Sequence, residues 1–284
     1  MPAPQSAVTD AYTRLTEVLP DLTVTELPPG TPPPTGDGWV SAADLAAAGP
    51  ALDAFLAWDD AQTLRDYDQR ARPDVIASFG LHRYLWPACL LITVPWFLHR
   101  RVPRYPVTDV SYDRTTGGMA LAVHPTAHAV TPFACLPDDP AAALPGARVV
   151  PDEEALRAEV REALAEHLEP LLAAFGPRMR RRGRALWGMV TDDIVEGLWY
   201  VSQLLGEEKR GMRELEELLP GTAKPYVGTP SFRELTGPDG QSLPTRDRAS
   251  CCMFYTVLPE DTCATCPRNC EADRVAKLLA ETAA

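Results

Sequence analysis

The sequence predicts an α+β fold, predominantly α-helical, with a small antiparallel β-sheet. Three observations predict it. Apolar residues recur at helical spacing over most of the chain, as in Leu156, Val160, Leu164, Leu168, Leu171 and Phe175. The period shortens to strand-like alternation only between about residues 107 and 134. The last forty residues then hold five of the seven cysteines, so the C-terminus is organised by sulfur rather than by apolar periodicity.

Taken in order, Ser6 to Leu19 reads as a short amphipathic helix, and Leu27 to Gly38 as a proline-rich connector. Ser41 is a candidate N-cap for helical sequence running through SAADLAAAGPALDAFLAW and DDAQTLRDYDQRAR. The apolar run from Tyr84 to Leu98 contains Pro87 and Pro95 and is expected to form a buried helix pair kinked at proline. VTDVSY, a turn at Asp113 to Gly117, then GMALAV and HAVTPFA read as three short strands, the first two a hairpin. Helix returns at Asp152 and is expected to end at Gly176-Pro177. The next helix runs from about Arg180 to Leu205 and stops at Gly206, followed by a shorter one over Lys209 to Leu219. A hairpin is expected around Pro238-Asp239-Gly240, and Glu271 to Thr282 reads as a closing helix. This divides the chain into a mostly helical body, residues 1–245, and a C-terminal segment, residues 246–284.

Composition sets outer limits. A chain of 284 residues with 45% apolar content can build a sizeable core. A net charge of −12 argues against nucleic acid, because phosphate recognition needs clustered cationic surface. No uninterrupted apolar run reaches the length of a spanning helix. The N-terminus shows no basic start followed by an apolar stretch, so no leader is expected. There is no G-x-G-x-x-G motif and no Walker loop, hence no sign of a nicotinamide, flavin or ATP site.

Cys251, Cys252, Cys263 and Cys266 fall in the order C-C-x10-C-x2-C. Four thiolates in so short a stretch can hold a metal centre. An odd total of seven cysteines at low density speaks against a disulfide framework. Structural zinc more often draws its thiolates from two C-x2-C turns, which aim both sulfurs at one tetrahedral ion. A vicinal pair points to opposite faces of extended backbone, so it shares a centre only through a tight bend. A [2Fe-2S] rhomb, larger than a single ion, tolerates such a pair better. Cys270 follows Cys266 with three residues between; local geometry favours the vicinal pair and the C-x2-C turn as ligands. Cys89 and Cys135 sit in apolar surroundings and are expected in the core.

The stretch Cys251-Cys252-Met253-Phe254-Tyr255 … Cys263-Ala264-Thr265-Cys266-Pro267 resembles the C-terminal iron–sulfur segment of the FhuF-like ferric siderophore reductases. The resemblance covers roughly the last forty residues. It implies a [2Fe-2S] cluster on Cys251, Cys252, Cys263 and Cys266 that passes one electron to siderophore-bound Fe(III), with release of Fe(II). A hydroxamate-type chelate is the expected substrate. Without a nucleotide site, electrons must come from another protein, such as a ferredoxin or a flavoprotein reductase. Such work is expected in the cytoplasm or at the inner face of the membrane. The rival readings are a zinc-stapled ligand- or partner-binding module without redox activity, and a non-redox enzyme related to siderophore synthetases.

Substrate candidates are fewer. Arg178, Arg180, Arg181, Arg182 and Arg184 form a basic run that reads either as a solvated helix start or as a surface for an anionic chelate or an acidic donor. Arg184, Arg246 and Trp187 are the residues offered for substrate, Trp187 by stacking. By their helical spacing Trp187, Trp199 and Tyr200 are all expected in the core, Trp187 being the aromatic offered for stacking if the site is functional. His124 and His128 flank Pro125 in strand-like sequence, a poor frame for a metal pair. His82, His99 and His167 read as structural or surface residues. Asp192-Asp193 reads as one exposed residue and one capping or paired residue, since neighbours do not share a helix face.

Overall fold

The computed structural model describes residues 6–36, 38–113, 118–125 and 130–283. The first half contains helix α1 (Thr9–Val18), strands β1 (Leu22–Glu26) and β2 (Val40–Ser41), and helices α2 (Ala42–Ala46), α3 (Pro50–Tyr67) and α4 (Pro73–His99). Five short strands follow: β3 (Val102–Pro103), β4 (Val110–Asp113), β5 (Met119–Val123), β6 (Phe133–Cys135) and β7 (Ala147–Val149). Then come helices α5 (Glu153–Met179), α6 (Gly183–Leu204) and α7 (Glu208–Leu218). The hairpin β8 (Phe232–Thr236) and β9 (Ser242–Arg246) and helix α8 (Glu271–Ala283) complete the chain.

Helix α4 is the axis of the molecule. Most of its side chains from Val75 to Phe97 are buried, and it packs against α1, α3, α5 and α6. A helix that is apolar on all sides must be enclosed on all sides. By length and composition α4 could cross a membrane, but 78% of its apolar window is buried inside this fold. The expected helix pair is in fact one 27-residue helix that runs through both prolines. Pro95 has no N–H for the carbonyl of Leu91, and an interior proline typically costs a helix about 3 kcal/mol. Here the Tyr12 hydroxyl, brought in by α1, donates to Leu91 O at 2.8 Å and also bonds the Tyr105 hydroxyl at 2.8 Å. The orphaned carbonyl therefore keeps a partner, and the helix continues.

Helix α5 buries Leu156, Val160, Leu164, Leu168, Leu171 and Phe175, the face expected from their spacing. It does not stop at Gly176-Pro177. The proline fits helical φ, and the helix ends three residues later, where Arg180 adopts the left-handed conformation and its N–H reaches back to Gly176 and Pro177. Arg178 and Arg180 thus lie at a helix C-terminus, where cations complement the macrodipole. Ser41 caps α2 by accepting from Asp44 N at 3.0 Å. The hairpin at 238–240 forms as expected, with β8 and β9 antiparallel and Gly237 N bonded to Gln241 O at 2.8 Å.

The sheet differs from expectation in pairing. β4 and β5 are antiparallel neighbours, but β1 joins β5 in parallel and β2 closes the other edge, giving the order β1-β5-β4-β2. The third expected strand starts later, as β6, and belongs to a separate sheet of order β3-β6-β7 in which β6 and β7 run parallel. The small sheet is therefore two small mixed sheets. Most of the turn at 113–117, and His128 with the start of HAVTPFA, lie outside the described residues. Cys89 and Cys135 are fully buried, as expected.

Candidate metal centre and its cavity

Strand β9 delivers the chain to the cysteines through Arg246, whose side chain has no exposed surface. Its guanidinium bonds Asp192 at 2.5 Å, Glu196 at 2.7 Å and the carbonyl of Pro230 at 3.3 Å. Asp192 in turn accepts from the backbone N–H of Ala249 at 2.9 Å, from that of Ser250 at 2.8 Å and from the Ser250 hydroxyl at 2.6 Å. One buried carboxylate on α6 thereby fixes both the strand end and the start of the cysteine loop. On the far side, the nearly buried Arg274 of α8 bonds Arg246 O at 2.7 Å, Asp247 at 2.9 Å and Cys266 O at 3.4 Å. A third arginine, Arg181, donates to Cys251 O at 2.8 Å.

Between these anchors the chain makes the bend that the vicinal pair requires. Met253 takes a left-handed conformation, φ 68°, and a short 3-10 turn follows over Phe254–Thr256. Met253 N lies 3.4 Å from Cys251 Sγ, a backbone donor aimed at sulfur. Cys266 N bonds Cys263 O at 3.0 Å and closes the C-x2-C turn. Asn269 holds that turn from outside through Cys263 O at 2.8 Å and the Thr262 hydroxyl at 2.6 Å. Burial pushes the Cys252 thiol above its ordinary range, against the pull of a Phe254 backbone hydrogen bond and the charge of Arg248. Metal loading at such a thiol releases a proton.

Cys251, Cys252, Cys263 and Cys266 line one cavity of about 440 Å³. All four are free thiols. Among the described residues, no three His, Cys, Asp or Glu side chains stand as ligands of a single ion; the sulfurs border a wider space instead. That space, the inward N–H and the nearby Arg248, whose guanidinium is 4.0 Å from Cys263 Sγ, fit a negatively charged rhombic cluster. Cys270 is not part of the lining. It is exposed, donates to Asp273 at 3.0 Å and accepts from Asp273 N at the start of α8.

The opposite wall is built by three helices. Asp66 and Tyr67 come from α3, Phe79, His82, Arg83 and Trp86 from α4, and Asp193 and Glu196 from α6. Phe254 reaches across to Tyr67 and Phe79, with ring centroids 5.3 and 5.9 Å apart. Arg83 is anchored by the buried Asp59 at 2.9 Å and lies over Trp58. His82 Nδ1 bonds both carboxylate oxygens of Asp193, at 2.8 and 2.9 Å.

The residues offered from the sequence for substrate lie elsewhere. Arg246 is sealed inside the ion network just described and is not part of the cavity lining. Trp187 is half-buried, edge-on to Tyr226 at 5.3 Å. Arg184 is exposed on the first turn of α6, outside the cavity lining. Tyr200 is 44% exposed rather than core, whereas Trp199 is buried. Asp192 and Asp193 are both buried and both partnered, not one exposed and one paired. His82, read from the sequence as a structural or surface residue, is brought into the cavity lining. Its local signal is slight: a titratable side chain next to Arg83 and four residues before Trp86, on a mostly apolar helix.

Residues 248–268 match the model of the FhuF 2Fe-2S C-terminal domain. That interval begins at Arg248 and contains all four cavity-lining cysteines. No curated protein matches the chain.

Proposed function

The chain carries a FhuF-type [2Fe-2S]-binding segment, and from that premise we propose that it is a ferric siderophore reductase. Cys251, Cys252, Cys263 and Cys266 are assigned as the ligands. A [2Fe-2S] centre there supplies one electron at a time, the stoichiometry that Fe(III) to Fe(II) requires. The carrying observation is that the same cavity has four thiols on one wall and an aromatic, partly polar wall opposite. A chelate seated there would lie against the electron source, without a second binding domain.

The substrate wall is assigned to Tyr67, Phe79, Arg83 and Trp86, in place of Arg184, Trp187 and Arg246. Its flat rings suit the apolar backbone of a hydroxamate-type chelate, and Arg83 offers donors to its oxygens. Hard oxygen ligands hold Fe(III) far better than Fe(II), so reduction loosens the complex. Electrons are assigned to an external ferredoxin or flavoprotein, since the sequence holds no nucleotide motif.

The test is anaerobic purification with iron and acid-labile sulfide quantitation. The reduced protein is then mixed with a ferric trihydroxamate and a chromophoric ferrous chelator. Two irons and two sulfides per chain, with ferrous iron trapped only after reduction, is the expected result. A colourless protein holding one zinc and no labile sulfide would select the zinc-stapled binding module.

A further inference from the structure

Arg248 lines the cavity and differs from its neighbours Arg181, Arg246 and Arg274 in what holds it. Each of those three donates to a carboxylate or a backbone carbonyl. Arg248 has no such bond among the described residues. Its Nε lies 3.7 Å from Asp192 Oδ2, too far for a hydrogen bond, and is buried without a partner. Asp192 has little left to offer it. Oδ1 already accepts from Arg246 and from Ala249 N, and Oδ2 from Ser250 N and the Ser250 hydroxyl. Toward the thiols, Arg248 Nη1 stands 4.0 Å from Cys263 Sγ. The side chain is only 11% exposed. A guanidinium drawn out of water and left short of hydrogen bonds costs free energy. That cost is offset where negative charge arrives beside it, and four thiolates holding a cluster bring such charge.

Building on the iron–sulfur assignment, and whichever chelate is reduced, we propose that Arg248 sets the reduction potential of the centre on Cys251, Cys252, Cys263 and Cys266. The site gains one negative charge when one electron arrives from the external donor protein. Arg248 exchanges neither proton nor electron in that step and no bond to it breaks. Its fixed positive charge stabilises the reduced state more than the oxidised one. Net charge and hydrogen bonding at sulfur are the properties that set such potentials.

Asp192, Asp193 and Glu196 lie close enough to act on Arg248 electrostatically, and Asp193 and Glu196 line the same cavity. These carboxylates pull the potential down, and Arg248 is the counterweight at the sulfurs. The result is a balance between two half-reactions. A higher potential eases loading from the donor, and a lower one strengthens the drive toward ferric iron.

The experiment is an anaerobic, dye-mediated redox titration of the cluster-loaded protein at one pH, in wild type, Arg248→Gln and Arg248→Lys. Iron, labile sulfide and far-ultraviolet circular dichroism are measured on each. Arg248→Gln keeps a polar side chain and removes the charge. It is expected to make reduction about tenfold less favourable, the scale of one hydrogen bond to a charged group, which is a fall of about 59 mV for a one-electron couple. Arg248→Lys keeps the charge and should titrate close to wild type. An Arg248→Gln potential equal to that of wild type overturns the proposal. An equal fall in Arg248→Lys also overturns it, since shape and not charge would then be the cause. An Arg248→Gln chain that folds but holds no cluster overturns it too, by placing Arg248 in the architecture of the loop. Wild-type protein whose centre titrates normally yet reduces no ferric chelate overturns the reductase reading and leaves this role of Arg248 standing.

Discussion

The helical body and the cysteine segment are held together by different physics. Around α4 the body is a continuous apolar core, with Leu81, Leu85, Leu90, Leu164, Leu168, Ile194 and Leu198 all buried. From Arg246 to Cys270 few apolar side chains are buried, chiefly Val257 and Ala264. The segment is placed instead by Asp192, Arg181 and Arg274, through directed bonds to backbone atoms beside the cysteines, with Arg246 holding Asp192 in place. Apolar burial is tolerant of small shifts, whereas a charged hydrogen bond fixes an atom to a few tenths of an ångström. A part that must set sulfur positions is held by the second kind of contact, and a part that only needs to be rigid by the first.

That contrast can be broken most severely at the sulfurs. Cys252→Ser should abolish iron binding, with the visible chromophore lost while far-ultraviolet circular dichroism stays close to wild type. A full iron load in that variant would remove Cys252 from the ligand set. Next in size, Asp192→Asn strips the charge from the pin of the cysteine loop and leaves the enclosed Arg246 with Glu196 as its one remaining carboxylate partner. Breaking one side of a buried pair costs about 3–5 kcal/mol, so denaturant unfolding should show that loss together with reduced iron occupancy. Leu164→Ala, in the apolar core, should cost a comparable 2–5 kcal/mol yet leave iron per folded chain unchanged. If both variants lost iron equally, the proposed division of labour would be wrong. The smallest effect is expected for Cys270→Ser: unchanged iron and sulfide, and a stability change within about 1 kcal/mol, the scale of a helix cap.

Much of this fold could be read from single stretches of sequence, because the signals were local. The buried face of α5, the Ser41 cap and the hairpin at 238–240 each depend on residues within a few positions of one another. The cysteine spacing is likewise a local signal, carried within sixteen residues. What could not be read depends on contacts between distant residues. The path of α4 through Pro95 rests on Tyr12, contributed by a helix some eighty residues earlier. The parallel pairing of β1 with β5 joins residue 22 to residue 119. Arg246 reads as a substrate residue because a cationic residue beside the cysteines is normally solvated; Asp192 and Glu196, on a helix some fifty residues earlier, explain its burial. His82 stayed hidden for the same reason, since its Asp193 partner lies on a different helix.

The two adjacent carboxylates of α6 carry a consequence for how this helix can change. Successive residues are turned by roughly 100° about a helix axis, so Asp192 looks toward the loop at 249–250 while Asp193 looks toward α4. At Gly188, one turn earlier, an added Cβ would meet the same loop at van der Waals distance. The helix therefore works as an indexed shaft with two settings in fixed phase. Inserting or deleting a single residue before Asp192 would rotate both carboxylates away from their partners at once, whereas side chains on its outer face, such as Tyr200, can be exchanged without disturbing that phase.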